Sequence, residues 1–138
     1  MQEMLSGFLA DMERNIKSAM DNKYMWKNLA PKILRQRLVI EGTTERIVSE
    51  SQMESYLIAL AGVAKMKIAG TPVTFTEHEN GSAAYINWTS SGVHFYSYPT
   101  KPPLFTVDIY SCKAYSVDDV VEFTRKFFNP IGLIWKEI

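Results

Sequence analysis

A serine and a cysteine lie at the two ends of one predicted hairpin. Their hydroxyl and thiol groups are the side chains in this sequence best suited to act as a nucleophile or a proton donor. Ser91 precedes an extended segment at 92–98, and Cys112 follows another at 104–111. A turn centred on the Lys101-Pro102 bond pairs Ser91 with Cys112 on one face, with Cβ atoms roughly 5 Å apart. A slip of one residue would reverse the facing of one strand.

Polar and aromatic side chains alternate along the first of these strands. His94, Tyr96 and Tyr98 share one face, and the same turn would bring three apolar residues beside them: Phe105, Val107 and Ile109. An imidazole or phenol near Ser91 is a candidate acid or base, although a phenol with its ordinary pKa near 10 exchanges protons poorly at neutral pH. The alternative interpretation is structural: a polar strand end, an inert buried thiol, and an aromatic core or dimer interface.

The rest of the sequence predicts the elements that position these strands. A capping box at Ser49 and Gln52 begins a helix over 49–64, and Ser116 begins another that ends at Asn129. Strands are predicted at 37–41, 73–77, 83–88, 92–98, 104–111 and 132–138. Apolar residues spaced three and four apart predict a first helix, ending near Asp21-Asn22: Leu5, Phe8, Leu9, Met12, Ile16, Ala19 and Met20.

The connections between these strands decide the fold class. Strands from residue 73 to residue 111 follow one another too closely for parallel crossovers, which need about a dozen residues, so they must pair antiparallel. The order β-α-β-β-β-β-α-β predicts an α+β two-layer sandwich, an antiparallel-rich sheet with its helices on one face. We expect one domain over residues 1–138, with 1–31 as an N-terminal helical extension and 37–138 as the core.

Composition narrows the class of function. Lys+Arg and Asp+Glu number 15 each, and this zero net charge argues against nucleic acid or a membrane surface as a partner. No apolar run approaches the roughly 18 residues that span a bilayer. The single cysteine leaves no internal disulfide and favours a cytoplasmic setting. His78 and His94 are too far apart in the sequence to predict a metal site.

Two segments, SSGVHFYSYPT at 90–100 and DIYSCK at 108–113, resemble motifs of the prokaryotic S-adenosylmethionine decarboxylases. Those motifs read Glu-Ser-His-x-x-x-His-Thr-Trp-Pro-Glu and Asp-x-Phe-Thr-Cys-Gly. The resemblance extends from about Arg37 to the C-terminus and leaves out the first helix. It implies an S-adenosylmethionine decarboxylase-like fold, a role in the synthesis of spermidine and other polyamines, and a homodimer whose active sites draw on both protomers.

In that family the chain cuts itself before the motif serine, which becomes a pyruvoyl group and serves as the electron sink for decarboxylation. The resemblance therefore implies cleavage between Ser90 and Ser91, a pyruvoyl cofactor made from Ser91, and Cys112 as the proton donor. It also makes three residues candidate substrate contacts: Tyr98, Thr100 and, on the strand at 73–77, Phe75.

Several positions depart from the family pattern. Tyr96 stands in place of the catalytic histidine and Thr100 in place of the glutamate that holds the substrate ribose. His94 would then have to supply the missing imidazole. Three hypotheses stay open: a pyruvoyl-dependent S-adenosylmethionine decarboxylase; a non-catalytic homologue that binds a small ligand or forms a regulatory heteromer with a complete paralogue; and a pyruvoyl-dependent decarboxylase of another amino acid.

Overall fold

The computed structural model describes residues 2–20 and 26–138, except for the side chains of residues 18–20. The chain divides into two units, Met1–Lys32 and Ile33–Ile138. In the first unit, helix α1 runs over Gln2–Met20, as its apolar spacing predicts. The end predicted for it at Asp21-Asn22 lies outside the described residues.

The second unit is built on one antiparallel sheet. Its six strands cross the sheet in the order β2-β3-β4-β5-β1-β6, and each pairs antiparallel with its neighbours. Their bounds are β1 Gln36–Thr43, β2 Val73–Glu77, β3 Gly81–Trp88, β4 Ser91–Tyr98, β5 Leu104–Ser111 and β6 Gly132–Glu137. The six strands predicted from alternation and turn residues correspond to these six.

Two helices of this unit begin at the caps that the sequence predicts. Helix α2 spans Glu50–Val63 behind a complete capping box, in which Ser49 and Gln52 bond each other's backbone N–H groups. Helix α3 spans Val117–Phe128, with the Asp119 N–H donating to the Ser116 side chain. Asn129 ends α3 in the left-handed conformation, at φ 45°. Over the described part of the chain, no helix has the length and apolar content to cross a membrane.

Helices α2 and α3 pack on the same face of the sheet, which confirms the two-layer α+β sandwich. Tyr56 of α2 lies at the centre of the core, with its ring centroid 5.5 Å from Phe95 of β4 and 5.6 Å from Phe123 of α3. The opposite face of the sheet, called the outer face below, carries His94 and Asp108 together with tyrosines that are 36–41% exposed: Tyr85, Tyr96, Tyr98 and Tyr110.

The register between β4 and β5 differs by one residue from the register expected of the hairpin. Ser91 is paired with Ser111, so the five-residue loop 99–103 is centred on Lys101. The expected pairing of Ser91 with Cys112 is therefore wrong. The physical reason is that the loop holds an odd number of residues, whereas a turn centred on a peptide bond holds an even number.

This one-residue difference also moves three side chains to the other face of the sheet. Phe105, Val107 and Ile109 are buried under the helices, and the rings of Phe105 and Phe95 stack at 5.7 Å. They do not join His94, Tyr96 and Tyr98, as the sequence suggested. Those three residues instead face Asp108, Thr106 and Leu104 across the ladder, because strand side chains alternate with a period of two.

Candidate active site

A tight turn holds the Ser90–Ser91 bond at one end of the sheet. Thr89 and Ser90 connect β3 to β4, and Trp88 pairs with Ser91 at the base of the turn. Ser90 has a φ of 66°, which is uncommon for a residue with a side chain. Backbone strain of this kind clusters at functional sites. Ser90 itself is exposed, whereas Ser91 is half-buried.

The hydroxyl of Ser91 is held from the buried side of the sheet. Its Oγ lies 2.8 Å from Ser111 Oγ and 3.6 Å from Met66 Sδ. The Ser111 hydroxyl donates to the Lys113 carbonyl at 2.5 Å and accepts from the Lys113 N–H at 2.9 Å. Because Ser111 has a single proton and directs it to Lys113, the Ser91 hydroxyl is the donor in the Ser91–Ser111 bond.

The carbonyl of Ser90 is held from the strand across the hairpin. It accepts the backbone N–H of Cys112 at 2.9 Å. The side chain of Cys112 is exposed, beyond the last residue of β5. Ser90 and Ser91 are thus both tied to residues 111–112, the first through its carbonyl and the second through its hydroxyl.

A cleft of about 700 Å³ opens beside this turn and extends over the outer face. This volume is in the range usual for a small-molecule site. Its charged groups include Arg37 of β1 and Asp108 of β5. The Arg37 guanidinium also lies over the Tyr110 ring, 5.0 Å from its centroid. The remaining lining residues are Leu38, Val39, Asn87, Ser90, Ser91, Gly92, His94, Tyr96, Ile109, Cys112 and Ile138.

Aromatic rings stack in a row along the outer face. The centroids of Tyr85 and His94 are 5.6 Å apart, those of His94 and Tyr96 are 6.3 Å apart, and Tyr98 continues the row at 6.3 Å from Tyr96. Exposed ring faces beside a carboxylate are suited to a planar ligand that carries positive charge.

Comparison with known proteins identifies the family. A family model described as S-adenosylmethionine decarboxylase matches residues 39–138. The chain belongs to the S-adenosylmethionine decarboxylase family. Its fold is similar to that of the crystal structure of the adenosylmethionine decarboxylase from Aquifex aeolicus VF5, with a TM-score of 0.65. The two sequences are 15% identical, and the match covers 78% of this chain and 90% of that chain. A comparison with curated proteins gives no match.

The family resemblance predicted from the sequence is thereby confirmed, together with the fold. S-adenosylmethionine decarboxylases are in general pyruvoyl-dependent, oligomeric enzymes that bind a small-molecule substrate. The residues at the turn fit the formation of such a group, because a serine hydroxyl and the carbonyl before it are both fixed by hydrogen bonds. Over residues 2–20 and 26–138, no three His, Cys, Asp or Glu side chains come together as a metal site.

The structure brings five of the expected site residues to the cleft and leaves three outside its lining. Ser90, Ser91, His94, Tyr96 and Cys112 line it. The three outside are Tyr98, Thr100 and Phe75. Tyr98 ends β4 at the far end of the sheet from Ser91. Thr100 lies in the β4–β5 loop and donates its hydroxyl to the Pro102 carbonyl at 2.8 Å. Phe75 lies on the edge strand β2 and is 64% exposed.

Neither histidine of the sequence lies near the Ser91 hydroxyl. His94 is three residues along β4, about 10 Å away at the rise of a strand, and its side chain lies on the other face of the sheet. His78 is in the turn before β3, at the opposite end of the sheet. Tyr96 is five residues from Ser91, about 17 Å along the strand. Direct proton transfer requires about 3 Å between heavy atoms, so none of these groups serves Ser91 within one chain.

Two groups at the turn were missed by reasoning from the sequence: the Ser111 hydroxyl and the Cys112 backbone N–H. Ser111 directly precedes Cys112, so the one-residue change in register exchanges the two positions relative to Ser91. One feature of the sequence could have identified Ser111. A hairpin loop with an odd number of residues, centred on Lys101, pairs residues that are an even number of positions apart, and Ser111 is 20 positions after Ser91.

Proposed function

We propose that this member of the S-adenosylmethionine decarboxylase family cleaves itself between Ser90 and Ser91 and decarboxylates S-adenosylmethionine in polyamine synthesis. The observation that carries the proposal is the turn itself. The Ser90 carbonyl and the Ser91 hydroxyl are each hydrogen-bonded to residues 111–112, and both serines line a cleft whose volume suits a small molecule. A pyruvoyl group formed from Ser91 supplies the electron sink for loss of CO₂.

The outer face has the groups needed to hold the substrate. The tyrosine and histidine rings offer faces on which a planar purine stacks. Asp108 is directly opposite His94 across the ladder, and its carboxylate is suited to a positively charged sulfonium or amine. Cys112 lies at the strand end beside the turn, where its thiol delivers a proton to the carbon that has lost CO₂.

A second subunit completes the substrate-binding part of the cleft in this proposal. The two histidines of the chain are remote from their own Ser91 hydroxyl, as strand geometry requires. A homodimer that apposes two outer faces brings His94 and Tyr96 of one protomer towards the outer-face part of the other's cleft, where the substrate binds, and not towards the Ser91 hydroxyl on the inner face. The exposed tyrosines of this face are the kind of residue found at such interfaces.

Intact mass analysis of the purified full-length chain tests self-cleavage. We expect two fragments, 1–90 and 91–138, the second lighter than a hydrolysis product by the mass of one ammonia, because a pyruvoyl replaces the terminal serine. The Ser91→Ala variant, which lacks the attacking hydroxyl, is expected to stay whole. A wild-type chain that remains whole after prolonged incubation, both with and without S-adenosylmethionine, contradicts the proposal.

A second candidate function is favoured by Tyr96 and by the distance of both histidines from Ser91. In this alternative the chain stays uncleaved, binds its ligand on the outer face and regulates a histidine-bearing paralogue as a heteromer. Mixing the uncleaved chain with such a paralogue then changes the decarboxylation rate, whereas an unchanged rate and separate elution of the two chains reject this alternative.

The identity of the amino acid is a separate part of the proposal. Thr100 replaces the ribose-binding glutamate of the family, and its hydroxyl is engaged within its own loop. If the substrate is another amino acid, the cleaved chain releases CO₂ from that amino acid and not from S-adenosylmethionine. Release of labelled CO₂ from S-adenosylmethionine and from a panel of amino acids distinguishes the two.

A further inference from the structure

The arrangement around Ser111 goes beyond what the family motif assigns. Ser111 is fully buried, and its hydroxyl makes three hydrogen bonds: with Ser91 Oγ at 2.8 Å, with the Lys113 carbonyl at 2.5 Å and with the Lys113 N–H at 2.9 Å. The two bonds to the Lys113 backbone fix the direction of the Ser111 hydroxyl. A serine that only filled space would not need this set of partners.

We propose that Ser111 is a positioning residue for self-cleavage, orienting the Ser91 hydroxyl so that an oxygen lone pair faces the Ser90 carbonyl carbon. The inference rests on the proposed function and names the group that prepares its first step. Ser91 donates its proton towards Ser111, and this leaves the lone pairs of Ser91 Oγ directed elsewhere. The Cys112 N–H, at 2.9 Å, holds the carbonyl that is attacked.

The first step balances without any further reactant. The Ser91 Oγ forms a bond to the Ser90 carbonyl carbon, and negative charge develops on the carbonyl oxygen, where the Cys112 N–H stabilises it. The bond from that carbon to the Ser91 nitrogen then breaks, and the hydroxyl proton ends on the released amine. The product is an ester that joins the Ser90 carboxyl to the Ser91 side chain. Ser111 is unchanged by the step.

The rate of chain cleavage in Ser111 variants tests this role. We expect Ser111→Ala to cleave about 10- to 100-fold more slowly than wild type, because loss of orientation at a reacting atom typically costs that much. Ser111→Thr retains a hydroxyl and is expected to restore most of the rate. Disappearance of the intact 138-residue chain, followed by mass under denaturing conditions, gives the rate constants.

Ser97→Ala is the matched control. Ser97 is also a buried serine on the inner face of this sheet, and it donates to a backbone carbonyl, that of Val48, at 3.0 Å. It is remote from the Ser90–Ser91 bond, so we expect its removal to leave the cleavage rate within about twofold of wild type. Thermal unfolding of both variants shows whether they are folded to the same extent. If Ser111→Ala does not fold, Ser111→Cys replaces it, since sulfur is a weaker acceptor than oxygen.

Hydroxylamine locates the affected step. It splits an ester but not a folded peptide bond, so it traps the product of the first step as a cut at Ser91. We expect less hydroxylamine-sensitive material in Ser111→Ala than in wild type at every time point. A folded Ser111→Ala that cleaves at the wild-type rate overturns the inference and leaves the proposed function standing, whereas a wild-type chain that never cleaves overturns both.

Discussion

At the scale of single residues, Tyr56 shows how burial and hydrogen bonding act on one group. Its hydroxyl lies 2.8 Å from Thr124 Oγ, and the Thr124 hydroxyl in turn donates to the Val120 carbonyl at 2.7 Å. Desolvation by burial raises the pKa of Tyr56 far above its ordinary value, and the hydrogen bond between Tyr56 and Thr124 offsets only part of this rise. The phenol therefore stays neutral wherever the protein is folded.

This raised pKa predicts a loss of stability at alkaline pH. The unfolded chain releases the Tyr56 proton near pH 10 while the folded chain retains it, so the stabilising contribution is complete below pH 10 and is lost as pH rises above it. In Tyr56→Phe we expect the free energy of unfolding, measured by urea denaturation from pH 8 to 11, to fall less steeply. At pH 7 this variant loses about 1 kcal/mol, the net contribution of one hydrogen bond.

Burial also raises the pKa of Tyr115, so the wild-type curve contains more than one such contribution. The relevant quantity is the difference between the wild-type and Tyr56→Phe curves. Curves that remain parallel across pH 10 would show that Tyr56 does not titrate differently in the folded and unfolded states.

At the scale of elements, the β4–β5 hairpin decides both the core and the candidate site. A loop of five residues places Ser111 opposite Ser91 and buries Phe105 against Phe95. The alternative register would have placed Cys112 opposite Ser91 and Phe105 among the exposed tyrosines. The two registers therefore differ in which residues of β5 are buried and so contribute most to the free energy of unfolding.

Alanine substitutions on the two faces distinguish these registers. We expect Phe105→Ala to lower the free energy of unfolding by about 3–5 kcal/mol, because it opens a cavity between Phe95 and Phe128. Tyr98→Ala, on the outer face and 36% exposed, is expected to cost about 1 kcal/mol or less. Urea denaturation at neutral pH measures both. Equal costs, or a larger cost for Tyr98→Ala, would contradict the observed register.

At the scale of the whole molecule, the second unit contains its own core. Every residue of the hydrophobic core described in the structure lies between Leu38 and Leu133. The region matched by the family, residues 39–138, begins at nearly the same point. The apolar positions of α1, in the first unit, form one stripe along that helix, in which Leu5, Phe8 and Leu9 are more than half exposed.

Truncation tests whether the second unit folds without the first. A chain that starts at Ile33 retains all the core residues, and we expect its thermal unfolding midpoint to lie within about 2 °C of the full-length value, since about 1 kcal/mol shifts the midpoint of such a domain by several degrees. The measurement is thermal unfolding followed by circular dichroism. A fall of 10 °C or more would mean that residues 1–32 contribute to the stability of the folded unit.

The local sequence determined the helices and strands of this protein, because each depends on residues that are close together in the chain. Alternation, the Ser49 and Ser116 caps and the turn residues predict six strands and three helices in the right order, since each depends on residues within one turn or one strand. The family motif added Ser91 and Cys112 in the same way, as residue types at fixed spacing.

Only the tertiary structure decided which groups meet at Ser91. Whether Ser111 or Cys112 faces it depends on how the loop at 99–103 closes and on which face of β5 packs under α2 and α3. Burial of Phe105, Val107 and Ile109 selects one register, and a shift of a single residue exchanges every side chain between the two faces. The sequence therefore named the candidate serine, and the packing of the sheet against its helices placed the Ser111 hydroxyl beside it.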